Sequence, residues 1–246
     1  MEKPLHSPTA FADWLHKPRT PLVKSRDLDQ ALNWAHPRAQ FVKTLPRDAH
    51  LLDFGAGDGG LVVFRSWPAP KREDLTFYGY SLEPIARARD YQAVEIARFE
   101  DQAPQFGGRR FDAVFCSHVI EHLNDPEAFL DWAQQALATR GRLYLEWPST
   151  ATLTLPRRED LLAHGVDVMV SNFFDDATHQ ALPERAAVVS GLEGRGFSIE
   201  QAGIIRLPFY EEELLAHDQR RSNPGYRLQA FWSHTGWRQY LVAQKR

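Results

Sequence analysis

His50-Leu51-Leu52-Asp53-Phe54-Gly55-Ala56-Gly57-Asp58-Gly59-Gly60-Leu61 is the stretch on which the reading of this chain turns. Its short apolar run predicts a buried parallel strand. The glycines then break that strand before an apolar helix start at Leu61-Val62-Val63-Phe64. Glycine lets the backbone turn tightly and approach a ligand closely, because no Cβ stands in the way. The spacing Gly55-x-Gly57-x-x-Gly60 satisfies the dinucleotide fingerprint, which alone carries little weight. Asp53 and Asp58 decide against that reading. No Lys or Arg lies between them, so a pyrophosphate at the helix start would meet two negative charges. A ligand with a cationic end would be attracted by the same acids, with any carboxylate it carries left for the helix amides.

Asp53-Phe54-Gly55-Ala56-Gly57-Asp58-Gly59 resembles the first motif of class I S-adenosylmethionine-dependent methyltransferases. Phe111-Asp112-Ala113-Val114-Phe115-Cys116-Ser117-His118-Val119-Ile120-Glu121-His122-Leu123-Asn124-Asp125-Pro126 resembles the fourth strand and following turn of that family. The likeness is narrowest to the branch of ubiquinone-biosynthesis O-methyltransferases and small-molecule and sugar methyltransferases, and it covers roughly residues 48–205. It implies S-adenosyl-L-methionine as cofactor and S-adenosyl-L-homocysteine as product. The ammonium and sulfonium of the cofactor match the charge pattern of the glycine turn.

The resemblance also implies site residues. Asp53, Phe54, Gly55, Ala56, Gly57 and Asp58 form the cofactor turn. An acid at the end of the second strand holds the ribose diol in the family, since a carboxylate accepts two hydrogen bonds. Here the expected place is Ser81, followed by Leu82, and the nearest acid is Glu83; either Glu83 reaches back or Ser81 makes a single contact. Glu100 and Asp101 stand where an acid accepts from the adenine amino group, and Ser117 ends the fourth strand. Just beyond it, His118, Glu121 and His122 are candidates for the general base that takes the acceptor's proton. The same three residues are also helical-turn neighbours with metal-ligand spacing, similar to the cluster of metal-assisted small-RNA 2′-O-methyltransferases and ubiquinone-pathway enzymes, which makes an RNA 2′-O-methyltransferase-like enzyme the alternative, with His164 or His179 as candidates for a fourth ligand by order alone. That divalent-metal reading is not favoured, and the plainer alternative is that Glu121 and His122 organise the loop without touching substrate.

The bulk properties limit the functions. At 246 residues the chain predicts one core domain with appended segments, and 43% hydrophobic with 25% charged residues is the composition of an ordinary globule. A net charge of −3 offers no global basic field, which argues against a nucleic-acid partner. Cys116 is the single cysteine, so no intrachain disulfide forms, and a reducing compartment is expected. No apolar run reaches the roughly 20 residues of a membrane span, and no signal-peptide core stands at the N-terminus. A cytoplasmic location and no membrane partner are the expectations; nothing indicates an oligomeric state. A small-molecule acceptor, a sugar or a phenol methylated on oxygen, is the leading functional reading. A non-catalytic binding module is supported only by Ser81. An oxidoreductase would need a second catalytic domain, for which the chain after 205 is too short.

In chain order, residues 1–47 are expected to form an N-terminal helical cap over the cofactor mouth, with 48–246 as the catalytic core. The helix after the glycines is expected to run to about Trp67 and stop at Pro68-Ala69-Pro70. Strands follow at Thr76–Leu82 and Ala93–Phe99, with a helix opened by Glu83-Pro84 between them. Phe111–Ser117 is a fourth strand; Asp125-Pro126 caps a helix stopped by Gly141; Arg142–Trp147 is a fifth strand. Residues 150–180 and 206–236 are read as substrate-side excursions, the second as a long functional loop. A helix from Glu184 to Arg195 and strands at 197–205 and 237–243 complete a doubly wound, seven-stranded, mostly parallel α/β sheet with an antiparallel last strand. On such a sheet ligands bind beyond the strand C-termini, where all the candidate residues fall.

Overall fold

A computed structural model of the chain describes residues 7–246. The expected cap begins at Met1, so its first six residues lie outside those described. In order, the elements are α1 (Pro8–His16), α2 (Ser25–Ala35), α3 (Pro37–Lys43), β1 (His50–Phe54), β2 (Thr76–Ser81), β3 (Ala93–Ile96) and β4 (Phe111–Ser117). They continue with α4 (Pro126–Ala136), β5 (Leu137–Pro148), α5 (Arg158–Ala163), α6 (Arg185–Gly194), β6 (Phe197–Ile204), α7 (Pro208–Arg221), α8 (Pro224–Thr235) and β7 (Arg238–Lys245).

The strands form one seven-stranded sheet in the order β3-β2-β1-β4-β5-β7-β6, mostly parallel with an antiparallel β7. β1 is central and pairs in parallel with β2 and β4, and burial on both faces explains why it is apolar at Leu51, Leu52 and Phe54. The register sets Phe54 beside Tyr80 and Cys116, and Ser117 beside Glu146. The ends of β1, β2, β4 and β5 are therefore level, and the loops that leave them share one edge.

The chain divides into two compact units. One comprises 37–147, 183–203 and 240–246. Its apolar core joins α3 (Phe41, Val42), the segment after the glycines (Leu61, Val62, Phe64) and the strands (Leu51, Phe77, Phe115, Tyr144). The other gathers residues 7–36 with 148–182 and 204–239, around Phe11, Leu28, Leu161, Leu214, Phe231 and Trp237. The two predicted excursions thus pack with the N-terminal helices α1 and α2 in one unit, while α3 belongs to the other.

Three expectations about local structure are corrected. No α-helix follows the glycine turn. Gly60–Arg65 is a six-residue 3₁₀ segment, because the run Val62-Val63-Phe64 has low helix propensity and so short an isolated helix is marginal. Between β2 and β3 only Ala88–Asp90 is helical, again 3₁₀, and the connection is held by the buried Ile85 and Tyr91 instead. Gly141 does not stop α4. The helix ends at Ala136 and β5 starts at once, with Gly141 inside it, beside Arg140 at φ +63° and a register shift opposite Phe111.

The segment 206–236 is two helices rather than a loop. Pro208 and Pro224 sit in their first turns, Asn223 accepts from the Tyr226 N–H (3.2 Å), and Gly236 at φ +67° ends the second. No described helix is long and apolar enough to cross a membrane.

Candidate active site

Two features meet at the level strand ends: a glycine turn after β1 and a buried charged cluster after β4. In the turn, Gly55, Gly57 and Gly59 take φ of +79°, +55° and +85°, the left-handed region that a side chain strains to occupy. The Gly55 and Ala56 N–H groups both donate to the Tyr80 carbonyl (2.8 and 2.9 Å), and Gly59 N–H donates to the Ala56 carbonyl (2.8 Å). Asp58, exposed, accepts the Gly60 N–H on Oδ1 (2.9 Å), a local bond across Gly59 at the start of the 3₁₀ segment. The Gly57 and Asp58 N–H groups are not consumed by these turn bonds. A Cβ on Gly57 would meet nothing nearer than the Gly55 carbonyl at 4.0 Å, so the space above it is open to a ligand. A Cβ on Gly55 would lie 2.1 Å from Val119 Cγ2, so the turn is packed directly on the loop after β4. The α-helix start expected beyond the turn is replaced by a short 3₁₀ segment.

Asp53, at the end of β1, is buried, and its Oδ2 accepts from the Tyr91 hydroxyl at 2.6 Å. Burial pushes its carboxyl up to about 7, against the Tyr91 hydrogen bond and the Arg38 charge, which pull it down; Asp58 nearby pushes in the same direction as burial. A cation arriving beside Asp53 would favour its ionised form. The predicted attraction thus rests on an acid that is half-ionised near neutral pH, assisted by the exposed Asp58. Phe54, expected among the cofactor residues, has its ring in the core, against Tyr80 (5.0 Å), Phe129 (4.9 Å) and Trp132 (5.1 Å). Alternation along β1 turns it away from the face of Asp53, so only its backbone is available.

At the end of β2, Ser81 is buried and its Oγ accepts from the Glu83 N–H (3.3 Å). Leu82 and Glu83 are exposed at this edge. Beyond β3, Glu100 Oε1 accepts from the Asn124 N–H (3.1 Å), tying this loop to the one after β4, while Asp101 is exposed.

After β4 the chain turns sharply, with His118 at φ +56°, an unusual conformation for a non-glycine residue and a mark of local strain. His118 N–H donates to the Glu146 carbonyl (2.8 Å), continuing the pairing of Ser117 with Glu146. The imidazole lies between two buried carboxylates, Nδ1 3.3 Å from Glu121 Oε1 and Nε2 3.2 Å from Glu146 Oε1. Glu146 Oε1 also takes Arg38 Nη2 at 2.5 Å, and the Tyr144 hydroxyl donates to Oε2 at 2.6 Å. Burial alone would lower the His118 pKa, but the bonds to Glu121 and Glu146 outweigh it and raise the value. An imidazolium there balances the cluster, two cations against two carboxylates. With both ring nitrogens facing carboxylates, His118 is less free to take an acceptor's proton or to turn a nitrogen toward a metal ion than its place in the sequence suggests. His122, half-buried, donates its N–H to the Val119 carbonyl (2.9 Å) in the 3₁₀ turn Ile120–His122. Cys116 is buried with its thiol pushed well up by burial, so it is inert.

Arg38, Tyr91, Tyr144 and Glu146 were not foreseen as site residues. Glu146 carried a signal: a lone acid in the run Leu143-Tyr144-Leu145-Glu146-Trp147 must be paired if the strand is buried. Tyr91 and Arg38 carried none, since each comes from an element whose packing the local pattern does not show.

The family model for a methyltransferase domain matches residues 26–202. A sequence search of curated proteins matched none. Among solved structures, the chain is similar to an S-adenosylmethionine-dependent methyltransferase from Mesorhizobium loti, with 18% identity, a TM-score of 0.54, and 89% of this chain and 100% of that one covered. It is similar also to the cyclopropane synthase MmaA2 from Mycobacterium tuberculosis (18%, TM-score 0.51, 82% and 80%) and to the [4+2]-cyclase SpnF (16%, 0.50, 84% and 79%). At these identities the likeness is one of fold.

Proposed function

This chain belongs to the methyltransferase-domain family, as a class I S-adenosylmethionine-dependent enzyme, and from that premise we propose that it methylates an oxygen of a small molecule, a sugar or a phenolic compound. The observation that carries the reading is the convergence, at one sheet edge, of an open acid-flanked glycine turn with a strained loop rich in His and Glu. The residues fit the cofactor. Gly57 leaves room for close approach, Asp53 offers a carboxylate to the ammonium, and the Gly57 and Asp58 amides suit its carboxylate. Ser81 fixes the Glu83 backbone, so we assign the ribose diol to Glu83, with Leu82 as apolar cover. Glu100 is engaged by Asn124, so the adenine amino group falls to Asp101.

Bound S-adenosylmethionine supplies an electrophilic methyl group for in-line displacement; the protein aligns the partners and manages one proton. Alignment can contribute up to about 7–11 kcal/mol. The cluster of Arg38, Glu146, His118 and Glu121 holds the loop after β4 rigid beneath the acceptor. His122, on the same turn as Glu121, is the residue we assign to take the acceptor's hydroxyl proton, a step worth roughly 10²–10⁴-fold. The experiment is transfer of labelled methyl from S-adenosylmethionine to matched phenols, sugars, amines and thiols. Label only on hydroxyl acceptors, with His122→Gln slower by the stated factor, supports the reading; label on an amine with hydroxyl compounds inert removes it.

A further inference from the structure

Tyr91 is not part of any sequence motif, yet it touches the glycine turn, the strand β2 beside it and the acid that precedes the turn. It ends the Ala88–Asp90 3₁₀ segment, where its ring is buried. Ideal Cβ positions on Gly59 and Gly79 would lie 3.2 and 3.1 Å from that ring, so two glycines, one in the turn and one inside β2, make the slot it occupies. At the end of the slot the hydroxyl reaches Asp53 Oδ2 at 2.6 Å, a short charge-assisted bond in a dry setting. Oδ1 accepts nothing from the described residues.

We propose that Tyr91 is a positioning residue for the cofactor: its phenol fixes one oxygen of Asp53 and leaves the other for the ligand's ammonium. This rests on the assignment of Asp53 to that ammonium. The phenol does two things at once. It removes the rotational freedom of the carboxylate, and by donating to the ionised form it holds Asp53 in the charge state that attracts a cation. The groups facing Asp53 are Arg38 from α3, Asp58 from the glycine turn, Cys116 from β4, and Tyr91 with Asp90 from the 3₁₀ segment. Cys116 stays a neutral thiol, Tyr91 is driven far from ionisation by burial and by Asp53, and Arg38 stays charged, so a transition near 7 that moves with the Tyr91 hydroxyl reports Asp53.

The test compares S-adenosylhomocysteine, which carries the ammonium, with 5′-methylthioadenosine, which lacks it, by titration across that pH range. In the wild type, affinity for the first is expected to fall on acidification through about 7 while the second stays level. In Tyr91→Phe, which keeps the ring in its slot, the midpoint moves to higher pH by about one to two units, with roughly tenfold weaker binding near neutrality. Site-specific 3-fluorotyrosine at Tyr91, a stronger donor of the same shape, moves it to lower pH and reads out the same bond should the Phe variant fold poorly. A wild-type profile without the ammonium-specific fall overturns the Asp53 assignment. A wild-type fall with midpoints unmoved in both variants overturns the role of Tyr91 alone.

Discussion

Replacing Asp53 by Asn should stabilise the protein while disabling it. In the folded chain the Asp53 carboxyl is raised from 3.8 to about 7, because burial penalises its charge more than Tyr91 and Arg38 relieve it. An acid raised on folding favours the native state only while protonated. That contribution is complete below the unfolded value near 3.8 and is lost as pH climbs through about 7. Three units at about 1.36 kcal/mol each make the buried charge cost about 4 kcal/mol at pH 8. By the same linkage the cost falls to about 2 kcal/mol at pH 5 and below about 1 kcal/mol near pH 4. The Asp53→Asn change removes the charge and keeps an oxygen for the Tyr91 hydroxyl. Urea unfolding of both proteins at these three pH values measures the gap. The variant is expected to be more stable by a few kcal/mol at pH 8, with the gap closing on acidification, and to lose cofactor affinity. Equal stability at pH 8, or a gap that does not change with pH, would refute the reasoning.

Glu146→Gln strands the Arg38 guanidinium without its buried partner and should cost about 3–5 kcal/mol in denaturant unfolding; a loss under 1 kcal/mol would mean the cluster is not held as described. His118 has a raised pKa, so its stabilising contribution is full below its unfolded value and fades as pH rises through the folded one. His118→Gln should therefore lose more stability at pH 6 than at pH 9, checked by thermal melts at both. Gly55→Ala must strain a φ of +79° and displace Val119, so its melting point should drop, and adding Val119→Ala should restore only part of the loss. Full restoration would place the cost in the clash alone.

The parallel sheet and its level edge were legible in the sequence because buried strands read as mainly apolar runs, and β1 and β4 both do, each interrupted by one Asp. The glycine turn was legible for a related reason: positive φ at Gly55, Gly57 and Gly59 demands the one residue type seen there. What the sequence did not reveal is how side chains divide between the faces. Phe54 adjoins Asp53 in the chain but stacks in the core on the other face of β1. The short 3₁₀ connections replaced expected helices because local apolar spacing does not say whether enough length remains to nucleate one. Residues 206–236 read as a loop because buried Leu214, Leu215 and Ala216 run consecutively, without the spacing of a one-faced helix. What His118 meets was not legible either, because Glu146 stands 28 positions away and is brought beside it only by strand pairing.

Calorimetric titration of the purified wild-type protein with S-adenosylmethionine and S-adenosylhomocysteine at about pH 8 tests the central claim most directly. One saturable site for both, with NADH silent, is the predicted outcome. Absence of heat with either adenosyl compound, or binding of NADH in their place, would contradict it.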